Sequence, residues 1–183
     1  MTTQTRCALV TGAISSIGQA TAELLATTQA STASARRRTA PRRRSTRCTQ
    51  AQGPFLLPGR LAPAMAARNW ERVVNVTRMI AYLGMADAAL YGSSKTALQL
   101  LTQAWAAEYG PSGVNVNSVA PSLIRTPGTA PMADAVEQIG ETVPAGRVGT
   151  PDEVAAAVAY LVSEQAAYVN GTTLAVDGGR VAV

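Results

Sequence analysis

The 183 residues contain no histidine, two cysteines, a single lysine, one phenylalanine and only 4% aromatic side chains. Without histidine, Ser-His-Asp hydrolysis, Cys-His proteolysis, histidine phosphotransfer and histidine-ligated zinc are excluded. Cys7 and Cys48 are too few for a four-thiolate centre or a disulfide framework, so no metal site is expected and the cytoplasm is the expected location. No apolar run approaches about 18 residues, and the first residues lack the basic start, long apolar middle and small-residue cleavage site of a signal peptide. A soluble protein without a membrane partner is therefore expected. The scarcity of aromatics leaves few platforms on which bases could stack, which argues against a nucleic-acid partner.

Charge is present, but in one place. The formal net charge is +5. Segment 31–52 holds seven arginines and no acid, which leaves 9 basic against 11 acidic residues elsewhere. The high isoelectric point thus describes a tract and not the whole surface. From Ala26 to Pro54 there is no Val, Ile, Leu, Met, Phe, Trp or Tyr. A strand covered on both faces cannot be built from such residues, so 31–52 reads as a solvated, disordered linker within one domain spanning 1–183.

Elsewhere, short apolar runs alternate with helical patterns. Strands are expected at 6–11, 71–77, 114–119 and 172–176. Helices are expected after Ser15 and Ser16, at 54–68, at 88–109 with Leu98, Leu101 and Trp105 on one side, near 132–140, and from Pro151 to about Ser163. An irregular Pro/Gly/Thr-rich loop covers 122–131. Strands alternating with helices predict an α/β fold on a parallel sheet.

Two features carry chemistry. Thr11–Gly18 (Thr-Gly-Ala-Ile-Ser-Ser-Ile-Gly) joins a strand to a helix through a glycine turn. That arrangement gathers backbone N–H groups and the positive end of a helix dipole where a pyrophosphate can sit. Lys95 follows Tyr91 by four residues on a predicted helix, so both side chains share a face. An ammonium fixed beside a phenol favours the phenolate and makes tyrosine a usable proton donor and acceptor. The plain alternatives are a tight turn and a surface pair.

Together with Val116-Asn117-Ser118-Val119-Ala120-Pro121 leading to Thr126, and the closing Val176-Asp177-Gly178-Gly179, these motifs stand in the order found in short-chain dehydrogenases/reductases. The sequence resembles that family over about 1–25 and 53–180. The resemblance implies a Rossmann-like, doubly wound parallel sheet that binds NAD or NADP and transfers hydride between nicotinamide and an alcohol or ketone. It implies that Tyr91 moves the proton and that Lys95 assists it and holds the nicotinamide ribose. Gly12, Ser16, Ile17 and Gly18 would bracket the pyrophosphate, and Thr126 would hold the carboxamide. A homo-oligomer built on the helices at 54–68 and 88–109 is also implied.

Several positions depart from the family pattern. Its serine, thirteen residues before the tyrosine, is here Arg78; Thr77 is adjacent, but strand alternation turns it to the opposite face. Its helix asparagine aligns with Gln50, its middle turn glycine is Ser16, and the glycine after Pro121 is Ser122. The arginine-rich tract occupies the place of the family's second, third and fourth strands. The shortened sheet then has about four strands, with the first either paired directly to 71–77 or loose. An active oxidoreductase and an impaired remnant acting through subunit or partner contacts are therefore both open readings. The choice between NAD and NADP is open too, and the apolar loop 122–143 suggests a hydrophobic alcohol or ketone.

Overall fold

In the computed structural model the Val-rich runs form a parallel sheet and the amphipathic stretches cover it; the structure describes residues 7–11, 16–28 and 71–183. The expected helix at 54–68, the arginine tract, Gly12 and Gln50 lie outside the described residues. The strands are β1 (Cys7–Val10), β2 (Glu71–Val76), β3 (Val114–Pro121) and β4 (Thr173–Val176), in spatial order β1-β2-β3-β4. The first strand pairs directly with the second, Cys7 opposite Glu71 through Val10 opposite Val74. Of the two arrangements open to the sequence, direct pairing is the one adopted. All four strands are parallel, as a sheet built through helical crossovers must be.

The helices are α1 (Ser16–Thr28), α2 (Ala89–Tyr109), α3 (Ala133–Glu141) and α4 (Pro151–Val162). Alternation along the strands sends side chains into two cores, one on each face. Leu9, Val73, Val114 and Val116 meet Leu98, Leu101, Trp105 and Ala106 of α2. On the other face Val10, Val74 and Val119 pack with Ile17 and Leu25 of α1 and with Val154, Val158, Leu161 and Val162 of α4. Each fully buried leucine or valine contributes about 1.5–3 kcal/mol, so both faces are firmly covered.

Local chemistry sets the ends of these elements. Thr150 caps α4: its hydroxyl accepts from Glu153 N–H while the Glu153 carboxylate accepts from Thr150 N–H, and Pro151 occupies the first turn. The Val-Asn alternation of β3 divides labour between its faces. Asn115 and Asn117 donate to Val169 O, Asn115 also to Ala167 O, and the Asn117 side chain accepts from Thr172 N–H, which fixes the crossover from α4 into β4. After β4 the chain turns through Gly178 (φ 64°) and Gly179 (φ 90°), while Asp177 accepts from Gly179 N–H and Val181 N–H.

Candidate functional site

The C-terminal ends of parallel strands are where a crevice opens in such sheets, and most of the expected site residues stand there. At the end of β1, Thr11 is buried and its hydroxyl donates to Asn75 Oδ1 at 3.0 Å. Asn75 in turn donates to Thr102 Oγ1 of α2 at 3.0 Å, and Thr102 donates to Leu98 O at 2.8 Å. This buried chain ties β1, β2 and α2 together at the end of β1. Ser16, Ile17 and Gly18 open α1; Gly18 is buried and Ile17 packs into the core, so any contact Ile17 makes with a ligand comes from its backbone.

Tyr91 and Lys95 lie in the first two turns of α2, the ammonium 5.8 Å from the centre of the phenol ring. Lys95 Nζ donates to Val76 O at the end of β2 at 3.2 Å. Burial, and then the positive charge of Arg78, push the Lys95 ammonium below its ordinary pKa. Both side chains owe their place to a 3₁₀ turn, Met79–Ala81, stapled to α2: Thr96 donates to Ala81 O at 3.2 Å. Gly92 lies against Ile80 of this turn, where a Cβ would be in ordinary contact with Ile80 O at 3.4 Å.

Thr77 is buried, and its hydroxyl and its N–H both donate to Val119 O, at 2.9 and 2.8 Å. Arg78 instead leaves β2 in an extended conformation (φ −169°, ψ 154°) and is partly exposed. Among the described residues its guanidinium makes no hydrogen bond or ion pair.

After β3, Ser122 is buried and its N–H donates to Val176 O. A short bridge of Ile124 to Gly149 pins the loop, and Thr126 sits in a turn organised by Thr129, whose hydroxyl accepts from Thr126 N–H at 2.9 Å and donates to Thr126 O at 2.9 Å. A cavity of about 290 Å³ lies beneath this loop, among Ser122, Val143, Arg147, Glu153, Asp177 and Gly178. Tyr91, Lys95 and Thr126 are not in its walls, so it is separate from the tyrosine–lysine pair. Sequence reasoning missed Asn75, Thr102 and Thr129. Polar residues inside an expected strand and helix, and a second threonine three places after the first, are the signals that were available.

The family model described as enoyl-(acyl carrier protein) reductase matches residues 44–180. The 3-oxoacyl-[acyl-carrier-protein] reductase FabG of Aquifex aeolicus is 36% identical over 128 residues, which is 69% of this chain and 52% of that protein. A solved "short chain dehydrogenase/reductase family protein" superposes with a TM-score of 0.76 at 27% identity, covering 97% of both chains. The structure "ElxO with NADP Bound" gives a TM-score of 0.68 at 25% identity, covering 76% of this chain and 61% of that one. The chain spans about half the length of the curated relatives it matches.

Proposed function

The chain belongs to the short-chain dehydrogenase/reductase family, and from that premise we propose that it is an NAD- or NADP-dependent oxidoreductase acting on an alcohol or ketone with Tyr91 as proton donor and acceptor. The observation that carries this reading is the Tyr91–Lys95 pair held at the C-terminal end of β2. The donor set suits the cofactor: Lys95 carries three N–H donors and gives one to Val76 O, which leaves others for ribose hydroxyls. Gly12, Ser16, Ile17 and Gly18 would hold the pyrophosphate at the start of α1, and Thr126 would hold the carboxamide. When bound, the nicotinamide supplies or takes up the hydride.

The protein's share is position and proton chemistry. In reduction, the Tyr91 hydroxyl gives its proton to the carbonyl oxygen, and the adjacent ammonium stabilises the phenolate left behind. In oxidation the phenolate takes the alcohol proton. Arg78, where relatives of this type carry a serine, gives no hydroxyl to the reacting oxygen. Losing one such oriented donor costs a neutral ketone about 10²–10³ in rate. That substitution also favours the competing reading of an impaired remnant acting through subunit or partner contacts. A homo-oligomer belongs to either reading, since Leu90 and Leu100 stand exposed on α2.

Titration with NADH and NADPH, followed by nicotinamide fluorescence and thermal melting, separates the two. The oxidoreductase reading expects saturable binding and a stabilisation of about 2.7 kcal/mol at a ligand concentration a hundred times Kd. Tyr91→Phe should keep that binding and lose turnover by about 10²–10⁴. Cooperative melting without any binding would leave the remnant reading.

A further inference from the structure

Lys95 and Arg78 both stand at the end of β2, and among the described residues no acid pairs with either. Arg78 follows Val76 by two residues, and Val76 O is the acceptor of the Lys95 ammonium. The Met79–Ala81 turn, pressed on Gly92 and tied to Thr96, fixes where Arg78 leaves the strand relative to Tyr91 and Lys95. Lys95 has only that neutral carbonyl as a hydrogen-bond partner, and the Arg78 guanidinium has none among the described residues. The nearest acid in sequence, Asp87, forms no ion pair with either cation. Arg125, in the loop after β3, is by contrast paired with Glu137 at 2.7 Å. Burial first, and then the positive charge of Arg78, hold the Lys95 ammonium below its ordinary pKa. A like-charge pair with no counter-ion is relieved by an anionic ligand.

On the reading that this site transfers hydride, we propose that Arg78, its charge uncompensated beside Lys95, is an anion-binding residue that selects substrates carrying a carboxylate beside the reacting carbonyl: oxo acids reduced to hydroxy acids, or the reverse. Guanidinium presents a planar fork of donors that matches a carboxylate, and it stays protonated, so it binds without competing with Tyr91 for the proton. In reduction the C=O π bond breaks; the carbonyl carbon gains hydride and the oxygen gains the Tyr91 proton. The reduced nicotinamide is oxidised as the oxo acid is reduced, and the carboxylate passes through unchanged. Arg78 is then the residue that sets specificity, in the place where a hydroxyl would serve neutral ketones.

Lys95 is the only lysine in the chain, so protein carrying ¹³C-labelled lysine gives one ammonium signal to follow. Oxamate, an unreactive carboxylate analogue of a 2-oxo acid, should bind saturably, with and without NAD, and raise the Lys95 titration midpoint; the neutral diamide oxamide should not. Arg78→Gln should weaken oxamate about 10–100-fold and raise the Lys95 midpoint without ligand, while Arg78→Lys should recover part of the affinity. In turnover, the kcat/KM ratio of pyruvate over pyruvamide should fall by the same factor in Arg78→Gln, and Arg78→Ser should favour the amide. Oxamate binding through Arg78 without any turnover would uphold the anion site and remove the hydride-transfer reading. Turnover with a pyruvate-to-pyruvamide ratio that Arg78→Gln leaves unchanged would overturn the anion site and uphold hydride transfer. Loss of NADH affinity by the same factor as oxamate would also overturn it, because the anion held would then be the cofactor's phosphate.

Discussion

Replacing Asn75 by alanine removes the centre of the only described link of hydrogen-bonded side chains joining β1, β2 and α2. Thr11 is 6% exposed and Asn75 is fully buried, and the Thr11 hydroxyl donates to Asn75 Oδ1. In Asn75→Ala that hydroxyl proton loses its acceptor where water cannot replace it, at a cost of about 1–3 kcal/mol. The lost bond to Thr102 adds about 1 kcal/mol, because Thr102 keeps its own bond to Leu98 O. Together these give about 2–4 kcal/mol, equivalent to a fall in Tm of roughly 4–16 °C for a chain of this size. Urea unfolding measures the change directly if the m-value stays constant. Thr11→Val also removes the orphaned donor, so the double variant should lose about 1–3 kcal/mol less than the sum of the singles. Agreement with that sum to within about 0.5 kcal/mol would refute the linkage. The same variants should weaken NADH binding if the β1 end places the pyrophosphate turn.

Leu161→Ala empties a fully buried site between α4 and the sheet and should cost about 2–5 kcal/mol in the same unfolding assay; a cost under about 1 kcal/mol would mean that the face is not packed as described. Glu153 is held down to a pKa of about 2, chiefly by its hydrogen bond from Arg147. A depressed carboxylate stabilises the folded state above its unfolded pKa and loses that stabilisation as pH falls through the folded value. The Tm difference between the parent and Arg147→Gln should therefore be present at pH 6 and shrink between about pH 4.5 and 2. The pair is exposed, so the difference should be small at any pH and should diminish in salt; a difference independent of pH would refute the assignment.

The sequence made the strands and helices legible wherever burial imposes a period. β3 runs two residues beyond the expected end, to Pro121, because the ladder continues through Ser122 N–H to Val176 O. Its last residue needs no donor, so proline is tolerated there. Asn75 could not be recognised as a hub, since its partners lie 64 and 27 residues away and a polar residue in a strand looks the same locally whether it meets water or a buried threonine. Direct pairing of β1 with β2 was undecidable for the same reason: neither strand carries a local mark of its neighbour. That Tyr91 and Lys95 stand close together on one helix was legible because helical spacing is local. The isolation of the Arg78 charge was not, because it depends on which acids the fold leaves elsewhere.

The four described strands of this sheet stand in the order in which they are synthesised, and each pairs with the described strand made before it. Cys7 and Glu71 are 64 residues apart, Glu71 and Val114 43, and Ser118 and Thr173 55. Among the described strands none has to return to one laid down several elements earlier, so these four can be added at a single advancing edge on the ribosome. At about 5–20 residues per second, the β2 edge waits roughly 2–9 s for β3. An open parallel edge of that lifetime is a template for foreign strands. Synthesis of residues 77–114 is therefore the interval in which this protein is most open to association through the β2 edge.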